Sequence, residues 1–156
     1  MQYAQGRIGR IFAARLEDGE PVYYAVHELA VREDVACALV LLLGGARSAT
    51  VVTGPRNVTG PIEPRLQSFD DAREMIAVGT LYPSDNGPAL HLHAGFGRDD
   101  VALIGCPRYA LNTYLVAELV VIEIEGLDAA RRLDPESGLK LLRFASAQSV
   151  DLGPCG

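Results

Sequence analysis

One helix-like segment followed by a long series of strand-like segments is the feature that most constrains the fold of this 156-residue chain. Pro21 suits the first turn of a helix, and Val22, Val26 and Leu29 recur at helical spacing until the pattern ends near Asp34. Strand patterns lie on both sides of this segment. The order predicts an α+β fold dominated by antiparallel sheet.

The strand-like segments share alternating or β-branched apolar residues and are bounded by turn residues. They lie at 7–16, 35–43, 48–53, 74–81, 89–94, 113–125 and in a hairpin across 131–144. The segment 35–43 is apolar throughout and ends at Gly44-Gly45, so we predict a strand buried on both faces. Residues 54–68 contain three prolines and are predicted to form a connecting loop.

Length and composition indicate a single folded domain. A chain of 156 residues with 49 % hydrophobic residues can bury a core, and its longest apolar stretch is too short to span a bilayer. We predict one domain over residues 1–144 and a flexible tail over 145–156. No targeting pattern is present at the N-terminus, which makes the cytoplasm the expected location.

The net charge argues against nucleic acid as a partner. Fourteen basic and twenty acidic residues give a net charge of -6, whereas phosphate binding typically leaves a positive footprint. The three cysteines are widely separated and form no CxxC pair, which is typical of reduced thiols. Neither Gly44-Gly45 nor Gly95-Phe96-Gly97 has the spacing of a nucleotide-binding loop, so turn formation is the expected role.

The three histidines carry the main functional hypothesis. His91 and His93 form a His-x-His pair in a strand-like segment, where side chains two residues apart project from the same face and can bind one metal ion. His27, on the predicted helix, would complete a three-histidine site if the helix packs across that sheet. Three protein ligands with an open fourth position are typical of a catalytic or ligand-accepting zinc site. The alternative is that all three are ordinary side chains without metal.

A metal-bound histidine usually donates its other ring N–H to a carboxylate or a carbonyl. Glu118, an acid within an apolar strand, is the main candidate, and Glu28 and Glu74 are others. A carboxylate near a metal-bound water could also move its proton, which makes Glu118 the candidate catalytic residue. The alternative for Glu118 is a solvated or salt-bridged strand residue. No cysteine is near a histidine in sequence, although Cys106 could approach one in space.

Several motifs follow one another in a fixed order: Leu90-His91-Leu92-His93-Ala94 followed by Arg98 and Gly105-Cys106, the strand 117–121, and the closing segment 131–142. In this order they resemble the PPC domain, a family named for its conservation in plants and prokaryotes. The resemblance covers roughly residues 6–144. It implies an α+β domain with a strongly bent, mainly antiparallel sheet and one packed helix, similar to the acetolactate decarboxylase fold.

The resemblance also implies an assembly and a metal. PPC domains form homotrimers, and prokaryotic members hold Zn2+ or another divalent transition metal at positions that match His27, His91 and His93. Acetolactate decarboxylase is a zinc enzyme, so any activity would be that of a metal-dependent lyase or hydrolase acting on a small molecule. Arg98 would contact a small anionic ligand near the metal, or form a surface salt bridge with Asp99 or Asp100.

Two alternatives to a metal-binding protein remain. The first is a DNA-associated regulatory protein that uses the domain for trimerisation and protein contacts. It requires basic side chains grouped on one face, either Arg7, Arg10 and Arg15 or Arg131, Arg132 and Arg143. The second alternative is a trimeric scaffold without metal. The net charge of -6 and the lack of an Arg-Gly-Arg-Pro segment argue against DNA binding.

Overall fold

A computed structural model describes residues 1–59, 62–151 and 153, except for the side chain of Tyr109. Its helix is α1 (Val22–Arg32). Its strands are β1 (Gln2–Tyr3), β2 (Arg7–Glu17), β3 (Ala38–Pro55), β4 (Pro64–Phe69), β5 (Arg73–Ser84), β6 (Gly87–Arg98), β7 (Val101–Glu125), β8 (Ala129–Leu133), β9 (Lys140–Phe144) and β10 (Gln148–Ser149). The ladders between them are antiparallel. The predicted α+β class, a mainly antiparallel sheet with one principal helix, is confirmed.

The main sheet curls back on itself. Its strand order is β2-β7-β6-β5-β3-β4, and β7 also pairs with β3. The strands β3, β5, β6 and β7 therefore form a closed ring of pairings. The register between β3 and β7 shifts between Gly44 and Gly45, and again between Ala46 and Ser48 and between Ala49 and Thr50. Gly44 has a φ of 138°, and a Cβ there would lie 2.5 Å from the carbonyl oxygen of Val116, so only glycine allows this approach.

The helix covers the inner face of this curled sheet. Val22, Val26 and Ala30 form its buried stripe, as their three-to-four-residue spacing predicts. They share one hydrophobic core with inward-facing strand residues such as Leu92 and Phe96. Burying each large apolar side chain contributes roughly 1.5–3 kcal/mol, and this core fixes how α1 lies against β6.

Two strand predictions were wrong in a related way. Residues 38–43 and 48–53 are parts of one strand, β3, because the ladder continues through the glycine pair with a shift of register; residues 35–37 precede this strand. Burial of the first segment on both faces is also wrong, since Leu43 is 54 % exposed while its neighbour Leu42 is buried. The predicted loop at 54–68 is shorter than expected, because β4 begins at Pro64; residues 60–61 lie outside the described part of the chain.

The C-terminal elements form two separate ladders. The predicted hairpin is present as β8 and β9, and β10 pairs with β1. The ammonium group of Met1 donates to the carbonyl oxygen of Val150 at 2.9 Å. That the tail at 145–156 is flexible stays a prediction. Within this tail, Leu152 and residues 154–156 lie outside the described residues. In the described part of the chain, no helix is long and apolar enough to cross a membrane.

Candidate metal centre

Strand β6 places two histidines side by side. Leu92, Ala94 and Phe96 are buried on its inner face, so the alternation of the strand directs His91 and His93 to the opposite face. Their Nε2 atoms lie 3.2 Å apart, and the ring centroids are separated by 5.0 Å. The structure thus brings the two imidazole nitrogens close enough to share one ion.

The next strand adds a thiol to this pair. Strand β7 follows β6 through a tight turn, and Ala94 pairs with Gly105. Continuing that register by one residue places Cys106 opposite His93. The ring nitrogens of the two histidines and Sγ of Cys106 all lie within 4.8 Å of one another. Cys106 was not predicted as a ligand from the sequence, and the register of the β6–β7 hairpin is the signal that could have identified it.

Close backbone packing fixes the position of the thiol. A Cβ on Gly105 would lie 2.3 Å from the carbonyl oxygen of Val52 and 2.8 Å from Cγ1 of Val51, so β3 and β7 touch at this residue. Cys106 is 5 % exposed, and Arg108 donates a hydrogen bond from Nε to its Sγ at 3.3 Å. A guanidinium beside the sulfur compensates the charge of a thiolate, which is the form in which cysteine binds metals.

The surroundings favour a neutral imidazole at His91. Burial, followed by the positive charges of Arg131, His93 and Arg108, lowers the pKa of His91 to about 4. A neutral imidazole keeps a free lone pair on one ring nitrogen, which is the form that coordinates metals. Burial and these charges therefore keep His91 in the neutral form that a ligand requires.

His27 lies away from this cluster. Its Nδ1 is 3.6 Å from Oε1 of Glu28, and its Nε2 is 3.8 Å from the position of a Cβ on Gly87. Gly87 lies four residues before His91, which in an extended strand corresponds to roughly 13 Å. Among the described residues, the group of ligand atoms within 4.8 Å does not include His27. Its role as a ligand stays a prediction that the contacts within one chain do not support.

Glu118 and Arg98, which the sequence also singled out, lie elsewhere. Glu118 is exposed on β7, between its register partners Arg15 on β2 and Leu43 on β3, and its catalytic role stays a prediction. Arg98 lies with Nε 3.8 Å from Oδ2 of Asp99, which matches the surface salt bridge considered for it.

A cavity of about 870 Å³ adjoins the cluster. His91, Cys106 and Arg108 lie on one wall, and the β8–β9 hairpin supplies the other with Arg131 and Lys140. Much of the remaining lining is apolar, from Tyr23, Ala89, Leu90, Ala110, Leu111, Leu139, Leu141 and Leu142. This volume lies within the range of roughly 300–1,000 Å³ that is usual for small-molecule sites.

The arginines considered for DNA binding are mostly engaged with carboxylates. Their pairs are Arg7 with Glu125, Arg10 with Glu123, Arg15 with Glu17, Arg132 with Asp85, and Arg143 with Asp134. Neutralised guanidinium groups of this kind do not form the unpaired basic face that phosphate binding requires. Arg131 is the exception, and it faces the cavity.

These features define a small α+β protein with a His-His-Cys donor cluster beside a cavity. The sequence profile of the Plants and Prokaryotes Conserved (PCC) domain matches residues 3–125. The chain therefore belongs to this family, which confirms the resemblance to the PPC domain. The matched range ends before the β8–β9 hairpin, whereas the sequence motifs were taken to extend to residue 144.

Solved structures support the same fold. A metal-containing protein of Archaeoglobus fulgidus is 21 % identical, with a TM-score of 0.80 over 90 % of this chain and 98 % of that one. A PPC protein of Pyrococcus horikoshii is 18 % identical, with a TM-score of 0.80 over 92 % and 98 %. A candidate DNA-binding protein of Ralstonia eutropha is 17 % identical, with a TM-score of 0.71 over 85 % and 90 %. None of the curated proteins compared with the chain matches it.

Proposed function

We propose that this protein binds a divalent transition-metal ion, in the first place Zn2+, through His91, His93 and Cys106. The observation that carries the proposal is the approach of their three donor atoms to within 4.8 Å of one another. Two imidazoles and a thiolate are a donor set that zinc commonly takes, and a fourth position stays open for water or a small ligand. The similar fold of a metal-containing archaeal protein supports the proposal.

The spacing of the two imidazoles supports one shared ion. Two nitrogens bound to zinc at 2.0–2.1 Å with a tetrahedral angle lie about 3.3 Å apart. The Nε2 atoms of His91 and His93 are 3.2 Å apart. Imidazole and thiolate also bind other late first-row metals. We name zinc first because two imidazoles and a thiolate suit it and because it is available to proteins.

The test is the metal content per chain of protein purified without a histidine tag or a chelating resin. We expect about one zinc ion per chain in the unchanged protein and none in the double variant His91→Ala, His93→Ala. The variant His27→Ala is the matched control and should keep its zinc. A protein that contains no metal and takes up none when zinc is added would refute the proposal.

We also propose that the protein assembles as a homotrimer. The number three comes from the family resemblance, while the structure supports association through the outer face of the sheet. Leu43, Ile76, Val78 and Ile104 are 52–73 % exposed there, and such apolar surface is usually covered by a partner. Light scattering coupled to gel filtration should give three chains for the unchanged protein and fewer for Ile76→Glu. A monomeric unchanged protein would contradict this proposal.

Association with DNA is the second candidate, and the description of the Ralstonia neighbour is what favours it. It would require affinity for duplex DNA that falls steeply as salt increases. Because the arginines of β2 and of the hairpin edge are paired with carboxylates, we expect weak binding without such a slope. Tight, salt-sensitive binding in a fluorescence anisotropy titration would make DNA association the leading function.

A further inference from the structure

The cavity is lined by positively charged side chains that have no carboxylate partner among the described residues. Arg108, Arg131 and Lys140 line it, and within the described residues none of them has a carboxylate oxygen within 4.0 Å. Other arginines, including the sequence neighbour Arg132, do have such a partner. Like charges brought together around one space repel each other unless an anion lies between them.

Arg131 shows the imbalance most clearly. Its Nη2 donates to Oγ1 of Thr80 at 2.9 Å, and its guanidinium carbon lies 5.5 Å from the centre of the Tyr82 ring. Its Nε is buried and has no hydrogen-bond partner in the described part of the chain. A buried donor on a charged group normally has an acceptor, which makes this N–H a candidate donor to a bound anion.

The rest of the lining indicates what kind of anion fits. Leu139, Leu141 and Leu142 approach from the hairpin, and Leu90 and Leu111 approach from the sheet. An aliphatic body can bury surface against these side chains, which inorganic phosphate cannot do. Guanidinium groups bind planar carboxylates with paired hydrogen bonds.

We propose that this cavity binds a small organic carboxylate, with its anionic group held by Arg131, Arg108 and Lys140 and its aliphatic body against the leucines of the β8–β9 hairpin. The inference deepens the proposed function, since the anionic end lies beside His91 and Cys106, and it rests on that function only for the ligand's position next to the metal.

The experiment is a calorimetric titration of the full-length protein with hexanoate, with 1-hexanol as the neutral probe and inorganic phosphate as the anion without an aliphatic body. We expect hexanoate to bind at least tenfold more tightly than either one. Arg131→Gln should weaken hexanoate binding about tenfold or more, and the matched control Arg132→Gln should change it less than twofold. Both variants should keep the zinc content of the unchanged protein.

Three results would overturn the inference: hexanoate binding no tighter than hexanol, phosphate binding as tightly as hexanoate, or equal affinities in the two arginine variants. If circular dichroism shows that Arg131→Gln is unfolded, Lys140→Gln replaces it, with an expected loss of about threefold; unchanged affinity there would equally overturn it. The same titration on His91→Ala, His93→Ala separates the two proposals. Arg131-dependent binding to that metal-free protein supports the carboxylate site even if zinc binding fails.

Discussion

Strand β7 carries two polar clusters that differ in whether their charged groups have a partner of opposite charge. Near its end, Glu123 is 8 % exposed and accepts hydrogen bonds from Nε and Nη2 of Arg10 at 2.7 and 2.8 Å and from the Arg10 backbone at 3.1 Å. Near its start, Arg108 contacts the Cys106 thiol and has no carboxylate partner among the described residues. We infer that the closed cluster stabilises the fold and the open one binds a ligand.

The closed cluster shows what a satisfied pair does to its groups. The hydrogen bonds from the Arg10 side chain, and then from its backbone, lower the pKa of Glu123 to about 2. The carboxylate is therefore ionised throughout the neutral range, and Nε and Nη2 of Arg10 are both engaged, with Glu123 and with the carbonyl oxygen of Glu33. In the open cluster, Arg108 contacts a thiol and, among the described residues, pairs with no carboxylate, so the two clusters can be tested by separate variants.

Replacing a histidine of the open cluster should have the largest effect, and it should fall on metal binding. Replacing a residue that only hydrogen-bonds to a metal ligand weakens metal affinity by up to roughly 100-fold. We expect His93→Ala to weaken zinc affinity more than that, because it removes a donor atom itself. His93 is exposed, so the free energy of unfolding of the metal-free protein should change by less than about 0.5 kcal/mol. Competition with a chromophoric chelator measures the first quantity and urea denaturation the second. Unchanged zinc affinity in this variant would contradict the claim that the open cluster binds the metal.

A methyl group at Gly105 should disturb both stability and the site. Its Cβ would lie 2.3 Å from a backbone oxygen of β3, so Gly105→Ala should lower the free energy of unfolding by about 2–3 kcal/mol. It should also reduce zinc binding, because Cys106 must shift with the backbone. Gly97→Ala is the matched control, since nothing lies within 4 Å of a Cβ there. Equal stability of the two variants in urea would refute the close approach of β3 and β7.

The closed cluster should act on stability and its pH dependence. Glu123→Gln should lower the free energy of unfolding by about 2 kcal/mol at neutral pH, the usual scale for hydrogen bonds to charged groups. The more exposed pair of Glu125 with Arg7 should contribute less than about 1 kcal/mol, as Glu125→Gln would show.

The sign of the pH effect follows from the lowered pKa. The advantage of the unchanged protein over Glu123→Gln should be complete above the ordinary pKa of 4.5 and should disappear as the pH falls toward about 2. Urea denaturation at a series of pH values measures it, and zinc content at neutral pH should be the same in both proteins. A pH-independent difference between the two would contradict the ion pair.

The smallest effect concerns the guanidinium beside the thiol. If Arg108 compensates a thiolate, Arg108→Gln should weaken zinc binding about tenfold, the lower range for outer-shell partners. Simple repulsion between two cations predicts the opposite sign, because losing the guanidinium would tighten zinc binding. The exposed Arg98→Gln is the control and should have no effect. Tighter binding in the Arg108 variant would show that the sulfur does not need the cation.

Much of the fold could be predicted because its signals are local. The spacing of Val22 and Val26 determines which face of α1 is buried, and the turn residues between β5 and β6 identify that hairpin. Gly44-Gly45 was misinterpreted because a glycine pair indicates a turn by its local preference. Its actual role, the close approach of β7 to β3, depends on a pairing between distant segments that no local pattern contains.

Only the part of the site that lies on a single strand could be predicted from the sequence. His91 and His93 follow from the two-residue period of β6, whereas Cys106 depends on the register between β6 and β7. The expected place of His27 assumed that the helix crosses the histidine pair. The buried stripe of α1 instead leaves His27 beside the β5–β6 turn at Gly87.

The most direct test of the central claim is the absorption spectrum of the protein loaded with Co2+ in place of zinc. If Cys106 is a ligand, sulfur-to-cobalt charge transfer gives a near-ultraviolet band. We predict this band in the unchanged protein and in His27→Ala, and its loss in Cys106→Ser. A cobalt protein whose spectrum lacks the band, or keeps it in Cys106→Ser and loses it in His27→Ala, would contradict a His91, His93 and Cys106 site.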